Sequence, residues 1–212
     1  MTNLVIVGGS VYPELQQLIL SLNEAGQNFK VIGYLDDTIS NEDEVGLRYL
    51  GRLEDAGTLP DCKFVFAIGS ERTRLKRLEI LASLNVSDDR FETLIHPSAV
   101  IYPTSKIGRG TIIHAGVVIG NDTRIGSFCI ILWNSVIGAR NDLGEAVMVA
   151  SQVATNADVS IGTSAYLGAA CAVADGLGIG KGAMVCMGSI VLSSVRDGEK
   201  VFGNPARVID RI

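Results

Sequence analysis

Two patterns in the sequence predict a small α/β unit followed by an all-β parallel β-helix of hexapeptide repeats. An aliphatic residue returns every six positions at Ile101, Ile107, Ile113, Ile119, Ile125, Ile131, Ile137, Leu143 and Val149, then at Ile161, Leu167, Val173, Ile179, Val185 and Val191. Thr155 is the one break in the series. Glycine follows many of these residues, as in Ile107-Gly108, Ile137-Gly138, Leu143-Gly144 and Leu167-Gly168. An amphipathic helix repeats every three to four residues and does not fit a period of six. A coil with three flat faces does, each face giving one large aliphatic to a shared interior and turning where glycine tolerates unusual backbone angles. The second pattern lies before residue 96, where short aliphatic runs end in glycine or aspartate and give way to helical spacing.

A second inward column supports the coil. The residue two places before each aliphatic is usually small or β-branched, as at Thr111, Val117, Thr123, Cys129, Ser135, Val147, Val153, Cys171, Ala183 and Ser189. Alternating sizes of this kind fill a narrow triangular core. Ordinary sandwich strands would instead show turn clusters at a spacing of 8–12 residues. The repeat therefore reads as about five coils that bury their core by stacking on one another.

The 212 residues suffice for such a repeat plus one small globular domain, and the formal charge of −5 argues against nucleic acid as a partner. No signal peptide or membrane span is expected, because the first apolar run is too brief. Cys62, Cys129, Cys171 and Cys186 lack metal-ligand spacing and read as small apolar residues of a reducing, cytoplasmic protein.

In chain order, Leu4–Val7 predicts a strand, Gly8-Gly9-Ser10 a tight turn, and Leu15, Leu18, Ile19 and Leu22 a helix. A second strand over residues 30–35 ends in Asp36-Asp37, and a third over 63–68 ends in Gly69-Ser70. Parallel α/β units bind ligands at such strand ends, where a glycine turn can present N–H groups to phosphate. The bland alternative for each is a strand-end turn. The next helix is expected to bury Leu75, Leu78, Leu81 and Leu84, leaving Arg72, Arg74, Lys76 and Arg77 on a solvated face or touching phosphate. Residues 1–95 thus read as a Rossmann-like domain and 96–212 as the β-helix, with His96-Pro97 at the junction.

Together these pieces resemble the sugar acetyltransferases of the sialic acid O-acetyltransferase type, which include N-acetyltransferases of nucleotide-linked 4-amino sugars. The likeness rests on Gly8-Gly9-Ser10, Leu35-Asp36-Asp37, Ala67-Ile68-Gly69, Leu94-Ile95-His96-Pro97, the hexads and the ending Gly203-Asn204-Pro205-Ala206-Arg207. It implies a left-handed β-helix, a cytoplasmic homotrimer, and acetyl-CoA as co-substrate without a metal. It further implies Gly168, Ala169, Met187, Gly188, Asn204, Pro205 and Arg207 at the CoA. Gly8, Gly9, Ser10, Asp36, Asp37, Gly69 and Ser70 would meet the nucleotide-linked amino sugar.

The chain departs from the family where the base is expected. The segment that resembles I-G-H-D reads Ile137-Gly138-Ala139-Arg140, and a second family histidine is replaced by Met148. Imidazole suits proton removal near neutral pH, and only His96 and His114 remain to supply one. His114 is the candidate replacement, expected outside the coil, with a structural or interface role as the alternative. The opening loop also lacks the family histidine, having Ser10-Val11-Tyr12 in its place. The reading is an acyl-CoA-dependent N-acyltransferase acting on an amino sugar for surface-glycan synthesis. A non-catalytic trimeric scaffold and an O-acetyltransferase remain as alternatives.

Overall fold

The computed structural model describes residues 1–211. Its N-terminal unit is a four-stranded parallel sheet of β1 (Thr2–Val7), β2 (Phe29–Leu35), β3 (Tyr49–Gly51) and β4 (Lys63–Phe66), in the order β3-β2-β1-β4. Helix α1 (Tyr12–Glu24) packs Tyr12, Leu15, Leu18, Ile19 and Leu22 onto one sheet face, while α2 (Glu42–Val45) is a single turn. Helix α3 (Arg77–Ser83) follows β4 on the other side. The chain leaves β1 for β2 and β3 on one flank and reaches β4 on the other, so the sheet has its switch point between β1 and β4.

The hexads form a parallel β-helix, as their period predicts. Residues 18 apart pair in register, for example Arg124 with Asp142 and Ile125 with Leu143. The aliphatic column and the small column fill one continuous interior. The hydroxyls of the small column also tie the coils together: Thr111, Thr123 and Ser135 each donate to a carbonyl on the next coil and accept an N–H from it. The break at Thr155 has a partner, because Asn141 Nδ2 donates to Thr155 Oγ1 at 2.6 Å inside the coil. Asn141 Oδ1 accepts from Val159 N at 2.7 Å.

The three outer faces differ. One carries Ile112, Ile130, Met148, Tyr166 and Met184, and the N-terminal unit packs onto its first rungs. The second is polar, with Lys106, Arg124, Asp142 and Ser160. The third is apolar, with Val100, Val118, Val136, Ala154, Ala172 and Ile190. Val100 and Val136 are 53% and 44% exposed there.

One sequence expectation needs correction, and the junction gains a detail. The β-helix sheet begins at Leu94–Ile95, which pairs with Ile112–Ile113, two residues before the expected start of the hexads. The helix after β4 also departs from its expected pose at its start. Leu75 is 48% exposed, whereas Arg74 and Arg77 are buried. Leu84 is buried and Leu81 packs against the core as expected, but at the start of the helix Arg77 takes the inward place because it finds acceptors on the β-helix and the adjoining loop. Among the described residues, no helix is long and apolar enough to cross a membrane.

Candidate functional site

A cleft of about 350 Å³ opens in the N-terminal unit at the carboxyl ends of β1, β2 and β4. Ligands bind at this place in open parallel sheets, outside the switch point. Gly8, Ser10, Asp36, Asp37, Gly69 and Ser70 line it. Val11, Thr38, Leu53, Ile68, Thr73 and Ile80, which sequence reasoning did not nominate, complete the wall. Thr38 carried a signal, since an aspartate two residues before a threonine can close an Asx turn. Leu53 and Ile80 carried none.

The floor of the cleft depends on close approach. Gly8 has φ +99°, and a Cβ there would lie 2.7 Å from Ile68 Cγ1. Gly9 is not at the wall; its N–H donates to Asp36 Oδ2 at 2.8 Å. The other carboxylate oxygen of Asp36 accepts from Thr38 N and Oγ1 at 2.8 Å and from Ile39 N at 3.1 Å. Burial by itself raises the Asp36 pKa, but the hydrogen bonds from Thr38, Gly9 and Ile39 outweigh it and hold the carboxyl below its usual value. Asp37 accepts from Leu53 N at 3.0 Å. Ser70 and Thr73 close a turn reciprocally, Ser70 N donating to Thr73 Oγ1 and Thr73 N to Ser70 Oγ.

A smaller cavity of about 70 Å³ adjoins the cleft through Val11 and Gly69 and lies between the sheet and the β-helix. His114 and Met148 line it with Ile112, Ile130, Leu132 and Leu15. His114 points away from the coil interior yet is only 4% exposed, and its ring packs 4.4 Å from that of Trp133. Burial, with His96 nearby, pushes the His114 imidazole down to about 4. His96 instead accepts Ser98 N on Nδ1 at 3.0 Å, at the junction.

The nominated donor residues gather elsewhere. Gly168, Ala169, Met187 and Gly188 lie on successive coils at one corner, where Gly188 N donates to Ala169 O. Gly203 N reaches Ser189 Oγ at 3.2 Å, which brings the Asn204-Pro205 turn to the same corner. Met187 is 69% exposed, and a Cβ on Gly188 would meet nothing within 4 Å. This exposed backbone suits an extended, amide-rich chain. Ala139 sits at another corner beside Arg140, which is bound to Asp158 by two hydrogen bonds of 2.7 Å. The pairing raises the Arg140 pKa and lowers that of Asp158, so neither side chain is suited to accept a proton. Within one chain, the cleft, the Ala139 corner and the Gly188 corner are separate. No group of three His, Cys, Asp or Glu able to hold a metal occurs among the described residues.

Comparison with known proteins bears on these features. Residues 3–81 match the model of the PglD N-terminal domain, and residues 91–121 match the bacterial transferase hexapeptide model. Each of these models matches less than half of the chain, one on the sheet unit and one on the first coils. Nearly the whole chain superposes on perosamine N-acetyltransferase from Caulobacter crescentus, solved with CoA and GDP-perosamine. That match has a TM-score of 0.84 and 27% identity and covers 99% of this chain and 98% of the other. The acetyltransferase domain of PglB from Neisseria gonorrhoeae, 21% identical, has the same fold with a TM-score of 0.84 over 99% of this chain and all of that one. A curated relative, UDP-N-acetylbacillosamine N-acetyltransferase of Bacillus subtilis, is 32% identical over 115 residues, which is 52% of this chain. The match spans about half the length of that relative. The resemblance read from the sequence is thereby borne out, and so is the fold class, a Rossmann-like sheet followed by a left-handed β-helix.

Proposed function

We propose that this chain is an acetyl-CoA-dependent N-acetyltransferase acting on an amino sugar carried by a nucleoside diphosphate. The observation that carries the reading is the cleft at the switch point, packed against a hexapeptide β-helix with an open backbone corner at Gly188. The likeness to perosamine N-acetyltransferase over nearly the whole of both chains supports it. In this reading residues 1–95 hold the nucleotide sugar through Gly8, Ser10, Asp36, Asp37, Gly69 and Ser70, with Gly9 fixing the Asp36 carboxylate behind the wall. Residues 96–212 hold acetyl-CoA through Gly168, Ala169, Met187, Gly188, Asn204, Pro205 and Arg207. The enzyme works in the cytoplasm on precursors of surface glycans, a setting that suits its four free thiols.

The faces of the coil support assembly as a trimer. One is covered by the N-terminal unit and one is charged, whereas the Val100–Val136 face is apolar and open. Packing that face against a second copy in a closed ring of three would bury it. It would also bring a donor corner of one chain toward the acceptor cleft of another. Val136→Glu is expected to turn a trimer into monomers, measured by light scattering.

The reaction proceeds without a protein imidazole. A neutral amine attacks the thioester carbon, the amide bond forms, the C–S bond breaks, and the departing thiolate takes the surplus proton. Orientation and backbone N–H groups facing the oxyanion supply the rate. A sugar hydroxyl, far less acidic than the proton-bearing intermediate of an amine, would need a base, so the Ala139 and Met148 departures favour N- over O-acetylation. The test is thiol release from acetyl-CoA against UDP-, GDP- and dTDP-linked 4-amino sugars, with His114→Ala alongside. Turnover that persists in His114→Ala supports this mechanism. Loss of turnover in a folded trimer would make His114 the base, and CoA binding without thiol release from any sugar would favour a scaffold.

A further inference from the structure

Arg77 is fully buried, although no carboxylate faces it among the described residues. Each of its three nitrogens donates to a main-chain carbonyl. Nε reaches Ile68 O at 2.7 Å, Nη1 reaches Ala146 O at 3.0 Å, and Nη2 reaches Phe128 O at 2.8 Å. Ile68 belongs to the wall of the cleft. Phe128 and Ala146 are equivalent corner residues of successive coils, both at positive φ. One side chain on α3 therefore joins the cleft wall to two coils of the β-helix. The guanidinium also lies 5.4 Å from the centre of the Phe66 ring at the end of β4.

The neighbouring loop fits tightly at the same place. A Cβ on Gly69 would lie 2.6 Å from Ile130 Cδ1 and 3.1 Å from Met148 Cε, so Gly69 rests directly on the β-helix. The residue after it, Ser70, turns back into the cleft wall. A guanidinium offers a fixed fork of donors, and an ammonium cannot satisfy three diverging carbonyls in the same plane. We propose that Arg77 is a positioning residue that fixes the acceptor cleft against the β-helix and thereby sets the register between the bound amino sugar and the acyl donor. This rests on the N-acetyltransferase reading above. Arg77 touches neither substrate and acts through Ile68, Gly69 and the Ala146 corner.

The experiment pairs kinetics with hydrogen exchange in the full-length protein, comparing wild type with Arg77→Lys. Arg77→Lys is expected to lower kcat about 100-fold, the scale of a 1 Å misplacement, with KM for acetyl-CoA within about twofold of wild type. Amides of residues 67–74 should exchange about tenfold faster in the variant, while those of residues 147–191 are unchanged. Unaltered kcat in the variant, or equal exchange of 67–74 in both proteins, overturns the proposal. If Arg77→Lys does not fold, wild-type exchange decides. Opening of 67–74 together with the coil corners at 128 and 146 supports the pin, and independent opening of 67–74 overturns it. A wild type inert on every nucleotide amino sugar would sink the enzymatic reading instead, leaving the exchange result to judge the pin.

Discussion

The interior of the β-helix and the seam between its covered face and the N-terminal unit are both largely buried, but they are built in different ways. The interior repeats every 18 residues, and each coil adds the same aliphatic and small residues to its predecessor. The seam has no period. It is assembled from Arg77, Gly69, His114, Phe128, Ile130 and Met148, drawn from distant parts of the sequence. The contrast teaches that a repeat spreads its stability over many equivalent contacts, while the seam concentrates it in a few polar and steric ones.

The largest expected effect lies in the seam. Arg77→Met leaves three buried carbonyls without donors and should cost about 3–5 kcal/mol, read by urea unfolding. A loss no greater than that of an exposed substitution would erase the contrast. The next effect is pH-dependent and comes from His114. Its folded pKa of about 4 lies below the unfolded value of 6.5. The unfolded chain therefore binds a proton that the native chain refuses. The stability from burying neutral His114 is complete above pH 6.5 and is lost as pH falls from there toward 4, by roughly 2–3 kcal/mol. His114→Leu should flatten that slope in urea titrations, and an unchanged slope would place the titration elsewhere.

Inside the coil, Thr155→Val strands the Asn141 amide and should cost about 1–3 kcal/mol. Adding Asn141→Ser should recover most of it, because Ser135 shows that a serine in this column can donate to one coil and accept from it. Failure of that rescue would mean that the polar pair does more than satisfy itself. The smallest change is expected at the outer corner. Arg140→Ala removes an exposed ion pair and should leave the unfolding midpoint almost where it was.

Much of the β-helix was legible because its burial is periodic. Period six and the glycines after Ile107, Ile137 and Leu143 identify the coil without knowledge of any contact, and Thr155 was visible as the one break. Its explanation was not, since Asn141 lies 14 residues away and meets it only when the coil closes. In the cleft, Gly8, Ser10, Asp36, Asp37, Gly69 and Ser70 stood out as strand-end residues and do line the wall. Leu53 and Ile80 did not, because nothing local marks a side chain that arrives from another element. The start of the helix after β4 was misread for the same reason. Leucine spacing suggested an inward Leu75, but carbonyls of residues 128 and 146 made burial of Arg77 the better solution.

By itself the sequence determined the order of elements, the class of each half, and the absence of an imidazole at Ala139 and Met148. These follow from residue type and near-neighbour spacing, which the chain carries whether or not it is folded. Only the tertiary structure decided which face of the β-helix the N-terminal unit covers, where Arg77 finds its acceptors, and that His114 is sealed against Trp133. Those outcomes depend on desolvation and hydrogen bonding between segments far apart in sequence, and such energies exist only once the segments have met.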